Sequence, residues 1–288
     1  MNYSALIQNR KSVREFTGKE VAFAQLEEIK KYYQAYAKAL DNGRKTELYV
    51  FGPGTGPALE GAAGYNQFLV GAPQYLVLLW EKGEQAGIHA GFLMEDLVLK
   101  LTDMGLDTCW VTFADGEEIK EVLGIESQLD VAAIVAFGYG AKTTKRLRLN
   151  IRSMSDVDVV AKHRYMEPKR SVADMAFVDS WGNSHNLDKH IGFFDEMLWE
   201  ALYAASLAPS YLNRQAYGFV LHDGQISLVS RPDAYNTEID GDLSLGIVLH
   251  HFTVVAENWV GKLHWRFGEA AADLKLPEGH KVIATSAI

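Results

Sequence analysis

Apolar positions along this chain recur at helical spacing in some segments and form short continuous runs in others, and the two patterns predict different elements. Residues 21–40 carry apolar and aromatic side chains at helical spacing and predict a helix. A short strand is predicted over 48–51, followed by a glycine-rich loop over 52–64. The runs QYLVLLW (74–80) and VAAIVAFGY (131–139) predict buried strands, and 117–123 predicts a short polar helix. Beyond these lie a helix at 192–207, strands at 216–222 and 226–230, and a long apolar helix at 242–260. The stretch 141–183 is polar and charged and reads as an irregular connector.

Two segments align without gaps: GFLMEDLVLKLTDMGLDTCW (91–110) and GIVLHHFTVVAENWVGKLHW (246–265). Both begin with Gly and end with Trp, and apolar residues coincide at Phe92/Ile247, Leu97/Phe252 and Met104/Trp259, among others. Their spacing is helical and the apolar stripe is wide, which predicts a helix buried on several sides in each half. The expectation is a duplication: a first half at 1–155 and a second at 156–288, together α+β, with mixed or antiparallel sheets around long buried central helices.

Three stretches offer chemistry. Residues 10–16 read RKSVREF, and extended spacing places Arg10, Ser12 and Arg14 on one side, beside Lys11. Two guanidinium forks and a hydroxyl there suit an anion or a polar ring edge. Lys142, Lys145, Arg146, Arg148 and Arg152 lie within eleven residues with no acid among them, a set able to grip a phosphate. A solvated linker would use the same composition. Residues 208–215 read APSYLNRQ, where Pro209 stops a helix and Ser210, Asn213 and Gln215 present short donors and acceptors suited to a planar heterocycle. A capped helix-to-strand turn uses the same residue types.

RKSVREF, GLDTCWV and APSYLNRQ, together with VAAIVAFGYGAKTTKR, resemble the nitroreductase-like FMN-dependent oxidoreductases. The resemblance implies a tandem, single-chain variant of a family that is usually homodimeric, with the FMN between the halves. It implies that Arg10, Lys11, Ser12 and Arg14 hold the FMN phosphate, ribityl chain and pyrimidine edge, with Lys145, Arg146 and Arg148 on the phosphate. Val111, Thr112 and Phe113 match backbone near the flavin's reactive nitrogen, and Asn66 is a weaker match. Pro209, Ser210, Tyr211, Asn213 and Gln215 match the segment contributed across the interface. The implied activity is reduction of a small molecule (a nitroaromatic, quinone or enone) with NAD(P)H as donor. No catalytic side chain is required, because the flavin carries the chemistry. A flavin-binding sensor or FMN store without turnover would share every contact. The 169–173 stretch KRSVA echoes RKSVR but ends in Ala, which implies one FMN per chain.

Composition narrows the alternatives. The 288 residues are 48% hydrophobic and 23% charged, as in ordinary globular chains. A formal net charge of −9 argues against a general nucleic-acid binder. The single cysteine, Cys109, excludes an internal disulfide and fits a cytoplasmic setting. No signal peptide and no membrane span are expected, and the assembly expected is a monomeric pseudo-dimer or a weak homodimer. Gly52-Pro53-Gly54-Thr55-Gly56-Pro57 lacks the third glycine of a dinucleotide fingerprint and reads as a flexible loop over the site. His250 and His251 are adjacent on a helix and unsuited to chelating one metal, so no metal is expected. Ser210 lacks a nucleophile elbow.

Overall fold

The computed structural model describes residues 1–40, 43–66, 68–142, 145–163, 167–184, 195–268 and 273–288. The chain divides into two compact units, one of residues 9–166 with Met1, the other of residues 167–288 with residues 2–8. The opening helix α1 (Tyr3–Asn9) therefore belongs mainly to the second unit, where the Ser4 hydroxyl donates to Glu200 Oε1 at 2.7 Å and Tyr3 sets its ring edge-on to His250.

The first unit runs α2 (Phe23–Leu40), β1 (Thr46–Phe51), α3 (Thr55–Leu59), β2 (Gln74–Trp80), α4 (Ala86–Asp103), β3 (Asp107–Val111), α5 (Gly116–Leu123) and β4 (Asp130–Gly138). Its sheet is antiparallel, in the order β1-β2-β4-β3. The run QYLVLLW is β2, an inner strand buried at every position. Burial on both faces explains why its pattern is continuous instead of alternating. Helix α4 packs on α2, β2, β3 and β4 and buries Leu93, Leu97 and Leu101 completely. Each such side chain contributes about 1.5–3 kcal/mol of burial.

The segment 91–110, read as helical, is in fact two elements. Gly105, at φ +74°, turns the chain out of α4, and Leu106 N–H reaches back to Leu101 O at 2.9 Å. Residues 107–111 then pair as the edge strand β3. The connector also needs correction: 141–183 is not irregular throughout. It holds the hairpin β5 (Lys145–Ser153) and β6 (Asp156–His163), a two-stranded antiparallel sheet, and a short strand β7 (Ala176–Val178). RLRLNIRS alternates polar and apolar residues at period two, a strand signal masked by its charge. The glycine-rich loop likewise contains α3, opened by Thr55 Oγ donating to Gly52 O at 2.7 Å.

The second unit continues with α6 (Asp195–Ser206), β8 (Tyr217–His222), β9 (Gln225–Ser230), α7 (Glu238–Val260), β10 (Arg266–Phe267) and β11 (Lys281–Ala287). Its sheet order is β10-β11-β9-β8-β7, with β7 parallel to β8 and every other pair antiparallel. The two units share a topology. A helix, two paired strands, a long buried helix, an edge strand and an inner strand occur in both units, with orders β1-β2-β4-β3 and β8-β9-β11-β10. The fold is α+β, and the two halves are similar.

Among the described residues α7 is the one helix long and apolar enough to cross a membrane, with 78% of its most apolar window buried inside the protein. Leu243, Ile247, Val248, Phe252 and Val255 pack it into the second unit's core, where Phe252 stacks on Phe219. Asp242, near its N-terminus, is pushed up to about 6 by burial and then by Glu238. A carboxyl raised in the folded state favours folding most while protonated. Its contribution is full below the unfolded pKa near 4 and is lost as pH rises through about 6. Asp242→Asn is therefore expected to stabilise the protein by about 1–2 kcal/mol at pH 7.5 and to have little effect at pH 4. Denaturant midpoints at the two pH values check this, and an equal effect at both would contradict it.

Candidate active site

In the first unit, residues 10–17 form an extended ribbon held on two sides. Ser12 bridges Thr108 of β3 in parallel, and Val13 N–H donates to Thr108 O at 2.9 Å. Further along, Phe16 bridges Gly140, Thr17 N–H donates to Tyr139 O at 2.8 Å, and Ala141 N–H donates to Glu15 O at 2.8 Å. The RKSVREF motif is thus fixed both to the edge strand and to the exit of β4, where the basic stretch begins. Gly140 is required at that exit. A Cβ there would lie 2.5 Å from Asp107 Oδ2, the atom that accepts Gly140 N–H at 3.0 Å.

Lys11 faces solvent, while Ser12 and Arg14 are half-buried and the Arg10 side chain is 7% exposed. Arg10 Nη1 donates to Ser12 Oγ at 3.5 Å, so these two share a side. Arg10 Nε lies 3.8 Å from Glu95 Oε1, beyond hydrogen-bond reach, and has no hydrogen-bond partner although it is buried. Glu95 itself is fully buried in α4 and accepts from Trp110 Nε1 at 3.0 Å. Burial pushes the Arg10 pKa down, Glu95 and Cys109 oppose that, and Arg14 adds to it. Arg14 has no ion pair or hydrogen bond among the described residues. The Thr108 hydroxyl is also buried without a partner.

Val111, Thr112 and Phe113 follow directly at the end of β3, with Val111 and Phe113 buried. The predicted loop reaches them: Ala63 bridges Phe113, and Gly64 N–H donates to Thr112 O at 2.8 Å. Asn66 is exposed, in a left-handed turn (φ +47°) eight residues before β2, with its amide 3.5 Å from Met154 O. Lys145, Arg146 and Arg148 lie on β5, of which Arg148 is half-buried. The side chains of Lys145 and Arg146 lie outside the described residues. Two hollows on this unit, one of about 1170 Å³ lined by Lys45, Glu81, Lys120 and Glu126, the other of about 380 Å³ lined by Phe16, Gly56, Leu69 and Pro73, contain none of the predicted contacts.

In the second unit, APSYLNRQ leaves α6 and makes a single turn over Tyr211–Asn213. Leu212, Asn213 and Gln215 all adopt positive φ (48°, 57° and 45°), an uncommon run outside glycine that costs energy and must be held by its surroundings. The holding bonds are visible. Ser210 Oγ accepts Gln215 N–H at 3.0 Å, and Tyr211 N–H donates to Ser244 Oγ of α7 at 3.0 Å. The Gln215 amide is committed inside the unit, accepting from Arg170 N–H at 2.9 Å and donating to Ser206 O at 2.9 Å. Asn213 Nδ2 donates to Pro168 O at 2.8 Å, and its Oδ1 accepts nothing among the described residues. Pro209 is buried, and Ser210 and Tyr211 are half-buried. The motif therefore packs against the KRSVA echo, where Lys169 Nζ also donates to Ala208 O at 2.8 Å.

The predicted contacts thus form one set in the first unit (Arg10, Lys11, Ser12 and Arg14 with Val111, Thr112 and Phe113) and one in the second (residues 209–215). Glu95 was missed by the motif reading, although an acidic pair inside GFLMEDLVL is a visible anomaly. Cys109 is buried on β3. Burial pushes its thiol up, against the pull of Arg14 and Arg10, which suits packing and not nucleophilic attack. His250 and His251 are both fully buried, and His251 Nδ1 lies 3.1 Å from Ala204 O. No cluster able to hold a metal occurs among the described residues.

Residues 2–178 match the family model described as "Putative TM nitroreductase". Among solved structures, "a putative nitroreductase" from Thermotoga maritima superposes with TM-score 0.57 at 19% identity, over 100% of this chain and 94% of that one. A nitroreductase family protein from Clostridium difficile 630 matches with TM-score 0.40 at 20% identity, over 50% of this chain and 87% of that one. An FMN-dependent nitroreductase from Clostridium difficile R20291 matches with TM-score 0.41 at 23% identity, over 49% and 89%. No curated protein matches the chain. With more than half its length under the family model and its full length following one fold, the chain belongs to this nitroreductase family.

Proposed function

We propose that the chain is an FMN-dependent oxidoreductase that takes electrons from NAD(P)H and delivers them to a small molecule of the nitroaromatic, quinone or enone type. The observation that carries this reading is the 10–17 ribbon, with a half-buried Arg14 that has no counter-ion among the described residues and a buried Arg10 Nε that, although ion-paired with Glu95, makes no hydrogen bond. A cation without a counter-ion beside a buried N–H donor without an acceptor fits a phosphorylated, polar-edged cofactor, and FMN has both features.

In this reading Arg10, Lys11, Ser12 and Arg14 hold the phosphate, ribityl chain and pyrimidine edge, and Lys145, Arg146 and Arg148 add positive charge at the phosphate. Backbone groups of Val111, Thr112 and Phe113 line the reactive edge, and Asn66 borders it. From the second unit Pro209, Ser210, Tyr211 and Asn213 supply the remaining contacts, with the unused Asn213 Oδ1 as an acceptor. Gln215 acts indirectly, by fixing the loop that presents them. Bound FMN supplies the two-electron chemistry, and the chain binds and orients it and sets its electrostatic surroundings. A cytoplasmic setting, one FMN per chain and a duplication at 1–155 and 156–288 complete the proposal.

The test is anaerobic addition of NADH and of NADPH to the flavin-loaded protein. The expected result is loss of the visible flavin band with at least one donor, its return on adding a quinone or nitroaromatic, and parallel steady-state lines. A bound flavin that neither donor bleaches would overturn the enzymatic reading and leave a flavin binder.

A further inference from the structure

We propose that Arg170, Arg214 and Arg231 form a second, separate oxyanion site on the second unit, suited to the dianionic phosphate group. The three are fixed around one short stretch of backbone. Arg170 N–H donates to the Gln215 side chain at 2.9 Å, Arg231 N–H donates to Ala216 O at 3.0 Å, and Arg214 immediately precedes Gln215. Arg231 Nη2 points back to Arg214 O at 3.4 Å. The left-handed residues Leu212, Asn213 and Gln215 coil the chain tightly on either side of Arg214.

The charges are not balanced. Asp233 is the acid in the group, and Arg214 engages it, with Nε and Nη2 each 2.8 Å from Oδ2. Its other oxygen accepts Tyr235 N–H at 3.0 Å, and the Arg214 guanidinium lies 4.7 Å over the Tyr235 ring. Neither Arg170 nor Arg231 makes an ion pair within 4 Å among the described residues; Asp174 acts on Arg170, and Asp233 on Arg231, only at longer range. Arg231 Nε is buried with no hydrogen-bond partner. Burial pushes the Arg231 pKa down, and the like charges of Arg170 and then Arg214 act in the same direction against Asp233. Three guanidinium groups face Asp233, engaged by Arg214, and the more distant Asp174, held by Ser171, which leaves an excess of positive charge that a fork-binding dianion would neutralise. None of these three arginines is among the proposed FMN contacts.

The test is calorimetric titration of the FMN-saturated full chain with inorganic phosphate, and separately with phenyl phosphate, at low ionic strength. One phosphate per chain is expected. Arg170→Gln and Arg231→Gln should each weaken binding at least tenfold while flavin content stays unchanged. If Arg231→Gln does not fold, Arg170→Gln decides, read also as loss of the phosphate-induced rise in Tm. Tighter binding of phenyl phosphate would identify an ester-linked ligand, and tighter binding of inorganic phosphate a free anion. The site is refuted if neither phosphate binds, if both variants bind as the parent does, or if excess FMN displaces the phosphate.

Discussion

Glu95→Ala is expected to lower the stability of the protein by about 3–5 kcal/mol, the cost of removing one partner from a buried charged pair. Glu95 is fully buried in α4, faces Arg10 Nε at 3.8 Å, and receives the Trp110 indole N–H at 3.0 Å. Without it Arg10 is a cation with a side chain 7% exposed and no counter-charge. The indole N–H loses its acceptor at the same time. Glu95→Gln keeps an acceptor for Trp110 and should fall between the parent and the alanine variant. The apolar pair R10M/E95L should recover most of the loss, because it removes both charges together. Denaturant midpoints measure all three, and an alanine variant as stable as the parent would contradict the pairing. The same interaction ties the start of the ribbon to α4, so E95A should also weaken flavin retention.

The second large effect is on the cofactor. Arg14→Ala is expected to weaken FMN binding roughly ten- to hundredfold, the range for a charge-assisted hydrogen bond of about 1.5–3 kcal/mol. Asn213→Ala should weaken it by roughly tenfold although Asn213 belongs to the other unit. Lys30→Ala, which breaks only an exposed pair with Glu27, is the control and should retain flavin in full. Fluorescence titration of the flavin-stripped protein gives the three affinities. Undiminished binding in either the Arg14 or the Asn213 variant would refute a cofactor held by both units.

Much of this was legible in the chain. Continuous apolar runs located β2 and β4, because inner strands buried on both faces cannot hide. The matching segments 91–110 and 246–265 pointed to two similar halves, and the paired strand orders show that similarity. Less visible was whatever depends on an edge or a turn. Strand β3 was absorbed into the helix before it, since only Gly105 separates two apolar stretches. The hairpin β5–β6 was hidden because its arginines drew attention to charge and away from alternation. At the site, residue types announced the cationic ribbon but not its anchoring, which depends on Thr108 and on residues 139–141, far away in sequence. Nor could the motif alone show that Gln215 is committed to Arg170 and Ser206. Its chemistry suits a heterocycle and a buried turn equally, and only the partners distinguish them.

The most direct test of the central claim is the flavin content of the purified protein. Acid release followed by chromatography should yield about one FMN per chain, with the visible spectrum of a bound flavin before release. A colourless protein that takes up no FMN when the cofactor is added would contradict it.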